Sequence, residues 1–123
     1  MSRAVCLNCM DGRIQLPVIE WIRNHLDIEC VDMVTEAGMD GYLANPDNPA
    51  EHVLKKTRIS IDVNQSVAIY VVGHFDCRGN KADDETHQRQ IREAVVRVSK
   101  DFPGIPVAGL WVDSEWAVHK ITE

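Results

Sequence analysis

The chain lacks any apolar run approaching the ~20 residues that a membrane-spanning helix needs, and its first residues carry no apolar core of a secretion signal. A membrane anchor and an extracellular setting are therefore not expected, and a cytoplasmic protein is. An excess of positive charge is also missing: 13 Lys and Arg face 19 Asp and Glu, for a net charge of -6. Nucleic acid is excluded as a partner, because phosphate binding needs a basic face. The densest basic stretch, Lys55-Lys56-Thr57-Arg58, falls on a predicted amphipathic helix and reads as a solvated face. No Pro-, Gly- or Ser-rich run, internal repeat or low-complexity segment breaks the chain, which argues against linkers and disordered tails. Without a secretion signal, the four cysteines are not expected to form a disulfide framework; metal ligands or redox thiols are the alternatives.

What is present fits one compact domain spanning residues 1–123, with 45% hydrophobic residues enough for one core. Strand and helix patterns alternate, which predicts an α/β fold: three layers, with a mainly parallel four-stranded sheet flanked by helices. Strands are expected over residues 4–8, 30–35, 67–73 and 107–112, the last two being near-continuous apolar runs of the kind covered on both faces. Pro17 opens a helix with Val18, Ile22 and Leu26 at a spacing of four, and Ala50, Val53, Leu54, Thr57 and Ile61 form a second stripe. The acidic pair Asp83-Asp84 opens a third helix, in which Ile91, Ala94, Val95, Val98 and Phe102 recur, and Pro103-Gly104 stops it. The stretch 38–49 reads as a long loop, and loops of that length are often functional.

Two segments carry the chemistry. Cys9, Asp11 and Arg13 form a Cys-x-Asp-x-Arg triplet directly after the first strand, and Gly73-His74-Phe75-Asp76-Cys77 follows the third. Cys9, His74 and Cys77 are two thiolates and one imidazole, a donor set that holds Zn2+ with its fourth position free. Asp11 and Arg13 add an acid and a base beside them. In open α/β sheets ligands bind beyond the carboxyl ends of the strands, where crossovers diverge, so neighbouring first and third strands would bring the ligands together. The rival pattern is Cys6-x-x-Cys9, which would suit a thiol oxidoreductase; that reading leaves His74 and Cys77 without a role. Cys6, inside the strand, reads as a small buried hydrophobe, and Cys30 reads as core.

The paired segments, with Glu36-Ala37-Gly38 between them, resemble the zinc motifs of the β-class carbonic anhydrases, which carry Cys-x-Asp-x-Arg and His-x-x-Cys at corresponding strand ends and an Asn-Ala-Gly segment between. The resemblance runs from the first strand to about Trp111. It implies Cys9, His74 and Cys77 as zinc ligands, with Asp11 and Arg13 as the catalytic dyad. It implies reversible hydration of carbon dioxide to bicarbonate by zinc-bound hydroxide, with a homodimer or higher homo-oligomer as the assembly. In part of that family the carboxylate equivalent to Asp11 takes the fourth zinc position and closes the site. Gly12 stands where the family usually has Ser. The family's N-terminal helical arm, with the segment that gives a Gln to its site, is not expected ahead of the first strand here. A non-catalytic or repurposed zinc protein of the same fold is the alternative.

The other residues receive plainer expectations. Asp76 would orient His74 or cap a turn, and Gly79 and Asn80 suit a turn. His25, His52, His87 and His119 are expected at the surface. Trp21, Trp111 and Trp116 are expected to pack, and Tyr42 sits where it would approach or cover the site.

Overall fold

The computed structural model describes residues 1–122. Strands β1 (Arg3–Asn8), β2 (Cys30–Thr35), β3 (Ile69–His74), β4 (Val107–Val112) and β5 (Val118–Lys120) form one sheet in the order β2-β1-β3-β4-β5. The helices are α1 (Gln15–Leu26), α2 (Met39–Ala44), α3 (Glu51–Asp62) and α4 (Asp84–Asp101). Every strand pair is parallel except the β4–β5 hairpin.

Period-two alternation sorts the strand side chains onto two faces. Ala4, Cys6, Tyr70, Val72, Leu110 and Val112 face α1 and pack with its Val18 and Ile22. Val5, Leu7, Ile69 and Val71 face the other way, onto Met39 and Leu43 of α2, Val53 of α3 and Ala94 and Val98 of α4. Helices thus cover both faces, and the apolar stripes expected for α1, α3 and α4 lie against the sheet. Asp83 caps α4, its carboxylate accepting the Thr86 backbone N–H at 2.7 Å.

Register places Val5 opposite Ile69 and Leu7 opposite Val71, so β1 and β3 are direct neighbours. From β1 the chain crosses to β2 on one side, and from β3 it crosses to β4 on the other. The switch point of the sheet therefore lies between the carboxyl ends of β1 and β3, where this architecture opens a crevice.

Four expectations are corrected. The sheet has five strands rather than four: β5 is three residues long and half-exposed, so it leaves no alternation to read. A turn holds it, in which the Asp113 carboxylate accepts the N–H groups of Glu115 and Ala117 and pairs with His119 Nε2 at 2.7 Å. The stretch 38–49 is no open loop, because α2 forms within it and buries Met39, Asp40 and Leu43; six residues are too few to show a helical period. β3 starts at Ile69 rather than at residue 67 and runs on to His74; Val67 is half-exposed, its N–H donating to the Arg3 carbonyl. Cys30 lies half-exposed on the edge strand, its thiol against Met1 Sδ, and is not core.

Candidate metal centre

β1 ends one residue before Cys9, and β3 ends on His74 with Cys77 in the turn that follows. Because the two strands are neighbours, these side chains converge. The Sγ atoms of Cys9 and Cys77 stand 3.9 Å apart. With a ring nitrogen of His74 they form a group whose possible ligand atoms all lie within 4.8 Å of one another, each from a buried residue.

His74 Nδ1 donates to the carbonyl of Phe75 at 2.8 Å, which fixes the ring and leaves Nε2 as the lone-pair nitrogen. That Nε2 is buried and has no hydrogen-bond partner. Backbone N–H groups ring the sulfurs. Gly38 donates to Cys9 at 3.5 Å, and the backbone N–H groups of Asp11 beside Cys9, and of Gly79 and Asn80 beside Cys77, favour the thiolate forms. Gly38 reaches its position in left-handed backbone, with φ 61°, and packs backbone to backbone on Gly79; a Cβ at Gly38 would lie 2.7 Å from the Gly79 carbonyl oxygen. The Glu36-Ala37-Gly38 segment thereby delivers an N–H to a thiolate.

The two thiols share charge unequally. A hydrogen bond from Cys77, then His74 and the N–H groups, hold the Cys9 thiol down to about 4 against the opposing effect of burial. Cys77 is pushed up by the same Cys9 contact and by burial. Burial works against a charged His74, but the Cys9 thiolate and the Phe75 carbonyl outweigh it and raise its value. A cation replacing the shared proton would be welcomed by every donor in the group.

Asp11 stands beside this group and faces Arg13. The guanidinium grips it by two edges: Nε donates to Oδ1 at 3.1 Å and to Oδ2 at 3.2 Å, and Nη2 donates to Oδ2 at 2.7 Å. The Arg13 backbone N–H adds a fourth contact at 2.9 Å. These bonds hold the Asp11 carboxyl down at about 2. Gln15 locks the same loop, its Nε2 donating to the carbonyls of Cys9 and Asp11, both at 2.8 Å.

The profile of the family described as "Putative carbonic anhydrase" matches residues 1–122. The chain belongs to that family. No protein among the curated ones matches. Solved β-carbonic anhydrases share its fold. Isoform I from the protozoan Trichomonas vaginalis has a TM-score of 0.64 at 15% identity, covering 97% of this chain and 82% of its own. A tetrameric β-carbonic anhydrase of the ascomycete Sordaria macrospora has a TM-score of 0.58 at 14% identity, covering all of this chain and 82% of its own. That of Aspergillus fumigatus has a TM-score of 0.53 at 16% identity, covering 98% and 76%.

Within this carbonic anhydrase fold the five residues expected at the site lie together, while several neighbours differ from expectation. Asp76 does not orient His74, which uses the Phe75 carbonyl; its carboxylate accepts Arg13 Nη1 at 3.1 Å instead. Trp116 does more than pack, since its ring lies 4.9 Å from the Arg13 guanidinium carbon. His87 is buried rather than at the surface, paired with Asp40, and Asn80 is the link between that pair and the Cys77 turn. Tyr42 donates to the Pro49 carbonyl and lines a small cavity with Gly38, Gly79 and Asn80. His25, His52 and His119 are exposed, as expected. A concavity of about 570 Å³ between α3 and α4 lies apart from this centre. Its guanidiniums are committed, Arg58 to the Asp101 carbonyl and Arg97 to the carbonyls of Leu43, Asn45 and Asn48. Among the described residues no helix is long and apolar enough to cross a membrane.

Proposed function

We propose that residues 1–123 act as one unit holding a single zinc ion on Cys9 Sγ, His74 Nε2 and Cys77 Sγ, and that the protein interconverts carbon dioxide and bicarbonate there. One observation carries this reading: His74 Nε2 is buried and unpaired while its ring is fixed by Nδ1. A buried polar atom without a partner costs about 1–3 kcal/mol, and a metal removes that cost. Spacing agrees, because two sulfurs each ~2.3 Å from a tetrahedral zinc stand roughly 3.8 Å apart, and here they stand 3.9 Å apart.

When bound, zinc supplies a Lewis acid that lowers the pKa of a water from 15.7 toward ~7. The chain's own residues do the rest. Two thiolates leave the metal less electrophilic than imidazoles would, and the N–H groups of Gly38, Asp11, Gly79 and Asn80 offset part of that by drawing charge from the sulfurs. Asp11, ionised throughout the working range, accepts a hydrogen bond from the attacking water and so aims its lone pair at the carbon of the substrate. Arg13 holds that carboxylate in place and keeps it off the metal, which favours an open site over one closed by Asp11.

The redox alternative finds no support in Cys6, which is fully buried in β1 with its thiol pushed up by burial, the reverse of a reactive thiolate. A homo-oligomer in the cytoplasm completes the proposal.

Stopped-flow hydration of carbon dioxide, with zinc quantified in the same sample, tests it. A rate proportional to bound zinc is expected, and Asp11→Ala should lower turnover about a hundredfold at constant zinc. Zinc near one per chain without a rate above background would instead establish a non-catalytic zinc protein.

A further inference from the structure

Arg13 is held on three sides, and only one of them is Asp11. Its guanidinium has five N–H donors. Nε and one Nη2 hydrogen go to the Asp11 carboxylate; Nη2 also donates to the Asp76 backbone carbonyl at 3.0 Å, and Nη1 to Asp76 Oδ2 at 3.1 Å. The flat face of the same group lies over the ring of Trp116, 4.9 Å from its centroid. One donor is left over. The clamp draws on three separate segments: the loop after β1, the turn after β3 between His74 and Cys77, and the β4–β5 turn.

Both clamping residues sit in backbone that side chains other than glycine seldom adopt, Asp76 at φ 56° and Trp116 at φ 62°. Such positions cost free energy and persist only where the surroundings impose them. Here the surroundings include a turn braced by Asp113, which accepts the N–H groups of Glu115 and Ala117 while the Trp116 N–H reaches the Asp113 carbonyl at 3.0 Å. Stability does not explain the arrangement. The Arg13–Asp76 pair is largely open to solvent, with 41% and 53% of its side chains exposed, and such pairs contribute little to folding. What three-sided attachment does achieve is a single orientation. An Arg13 bound by Asp11 alone would swing with the carboxylate, whereas this one cannot.

From this geometry we infer that Asp76 and Trp116 are positioning residues that fix the guanidinium of Arg13, and through it the carboxylate of Asp11, beside the metal centre. The inference rests on the proposed role of Asp11 and deepens it. Neither residue belongs to the Cys9, His74 and Cys77 group. Trp116 works through its ring face alone, and Asp76 through its carboxylate and its carbonyl.

The test uses zinc-loaded protein with nitrogen-15-labelled arginine and two readouts: the side-chain N–H spectrum of Arg13, and the separate kcat and KM of carbon dioxide hydration. Wild type is expected to show slow Cζ–Nη rotation, with the Arg13 Nη hydrogens resolved. Asp76→Gly, which suits the left-handed backbone, and Trp116→Leu should each average those signals. Each should lower kcat about tenfold with KM and zinc content unchanged, since misplacement of a working group acts on turnover. Asp76→Asn, which keeps an acceptor oxygen, and Trp116→Phe, which keeps a ring, should recover most of both readouts. An Arg13 spectrum unmoved by Asp76→Gly and Trp116→Leu would overturn the clamp, as would full kcat or a change confined to KM. Should wild type turn over no carbon dioxide, the proposed function fails by itself, and the Arg13 spectra alone then decide the clamp.

Discussion

His87 Nδ1 meets Asp40 Oδ2 at 2.6 Å, and both side chains are almost completely buried, at 1% and 2% exposure. The pair joins α4 to α2. Asn80 extends it: one side-chain amide donates to Asp40 Oδ1 at 3.0 Å and to Gln90 Oε1 at 2.7 Å, tying the turn after Cys77 to both helices. Gly73 makes room for this network, because a Cβ there would collide with Asp40 Oδ2.

Removing one member of a buried hydrogen-bonded pair strands the other. His87→Ala or Asp40→Ala is therefore expected to cost about 3 kcal/mol of folding stability, read from urea unfolding. The double variant should cost much less than the sum of the singles. Strict additivity would mean that the two side chains do not interact.

Gly38→Ala places a Cβ against the Gly79 carbonyl at a backbone angle that suits glycine. The expected result is a weakened zinc site, because the Gly38 N–H would be displaced from Cys9 Sγ. Loss of a supporting contact of this kind lowers metal affinity about 10–100-fold, and competition with a chromophoric chelator measures it. Unchanged affinity would show that the Gly38 contact is dispensable.

Cys77→Ser should abolish stoichiometric zinc, while Cys6→Ser should keep it and lose about 1–3 kcal/mol of stability through a hydroxyl buried without a partner. Elemental analysis and unfolding curves on the same preparations separate the two effects. Full zinc retained in Cys77→Ser would refute the ligand assignment.

Proton counting provides a pH test. Cys9, held down to about 4, is a thiolate at neutral pH, whereas Cys77, pushed up, carries the shared proton. Zinc binding at neutral pH should then release about one thiol proton, and affinity should fall roughly tenfold for each unit by which pH is lowered. Calorimetry in buffers of different ionisation enthalpy gives the count. Two full thiol protons would contradict the asymmetry.

Asp11 makes a separate prediction of sign. Its folded value, about 2, lies below the ordinary 3.8 because Arg13 donates to it. The stability it contributes is complete above 3.8 and drains away as pH falls toward about 2. Carbon-13 NMR of the carboxyl should place its midpoint near the lower figure in wild type and near the ordinary one in Arg13→Ala. A midpoint in Arg13→Ala that stays at the wild-type figure would remove Arg13 as the cause.

The sequence makes legible what depends on one segment at a time. β4 matches its expected limits because a continuous apolar run lies between Pro106 and Asp113, β2 matches its own between Glu29 and Glu36, and α4 announces itself with Asp83. Cys9, His74 and Cys77 stand out because thiols and imidazoles at strand ends have few structural uses. What stays hidden depends on distant partners. Asp76 and Arg13 are 63 positions apart, and Asp40 and His87 are 47 apart. Nothing local to His87 marks it as buried, since it lies in the first turn of a helix whose opening is acidic and polar. α2 and β5 leave no signal because six and three residues are too few to repeat the periods that reveal helices and strands.

The switch point between β1 and β3 has a mechanical meaning as well. Those strands pair over only three registered positions, Val5 to Leu7 against Ile69 to Val71, whereas each is paired with its outer neighbour over six. The seam is thus the shortest of the parallel pairings, and it divides a β1–β2 half from a β3–β4 half. A metal gripping Cys9 from one half and His74 from the other, as proposed, would act as a rivet across that seam. Amide hydrogens of Val5 and Leu7 should therefore exchange with solvent more slowly in the loaded protein than in the stripped one, by far more than those at the β1–β2 pairing.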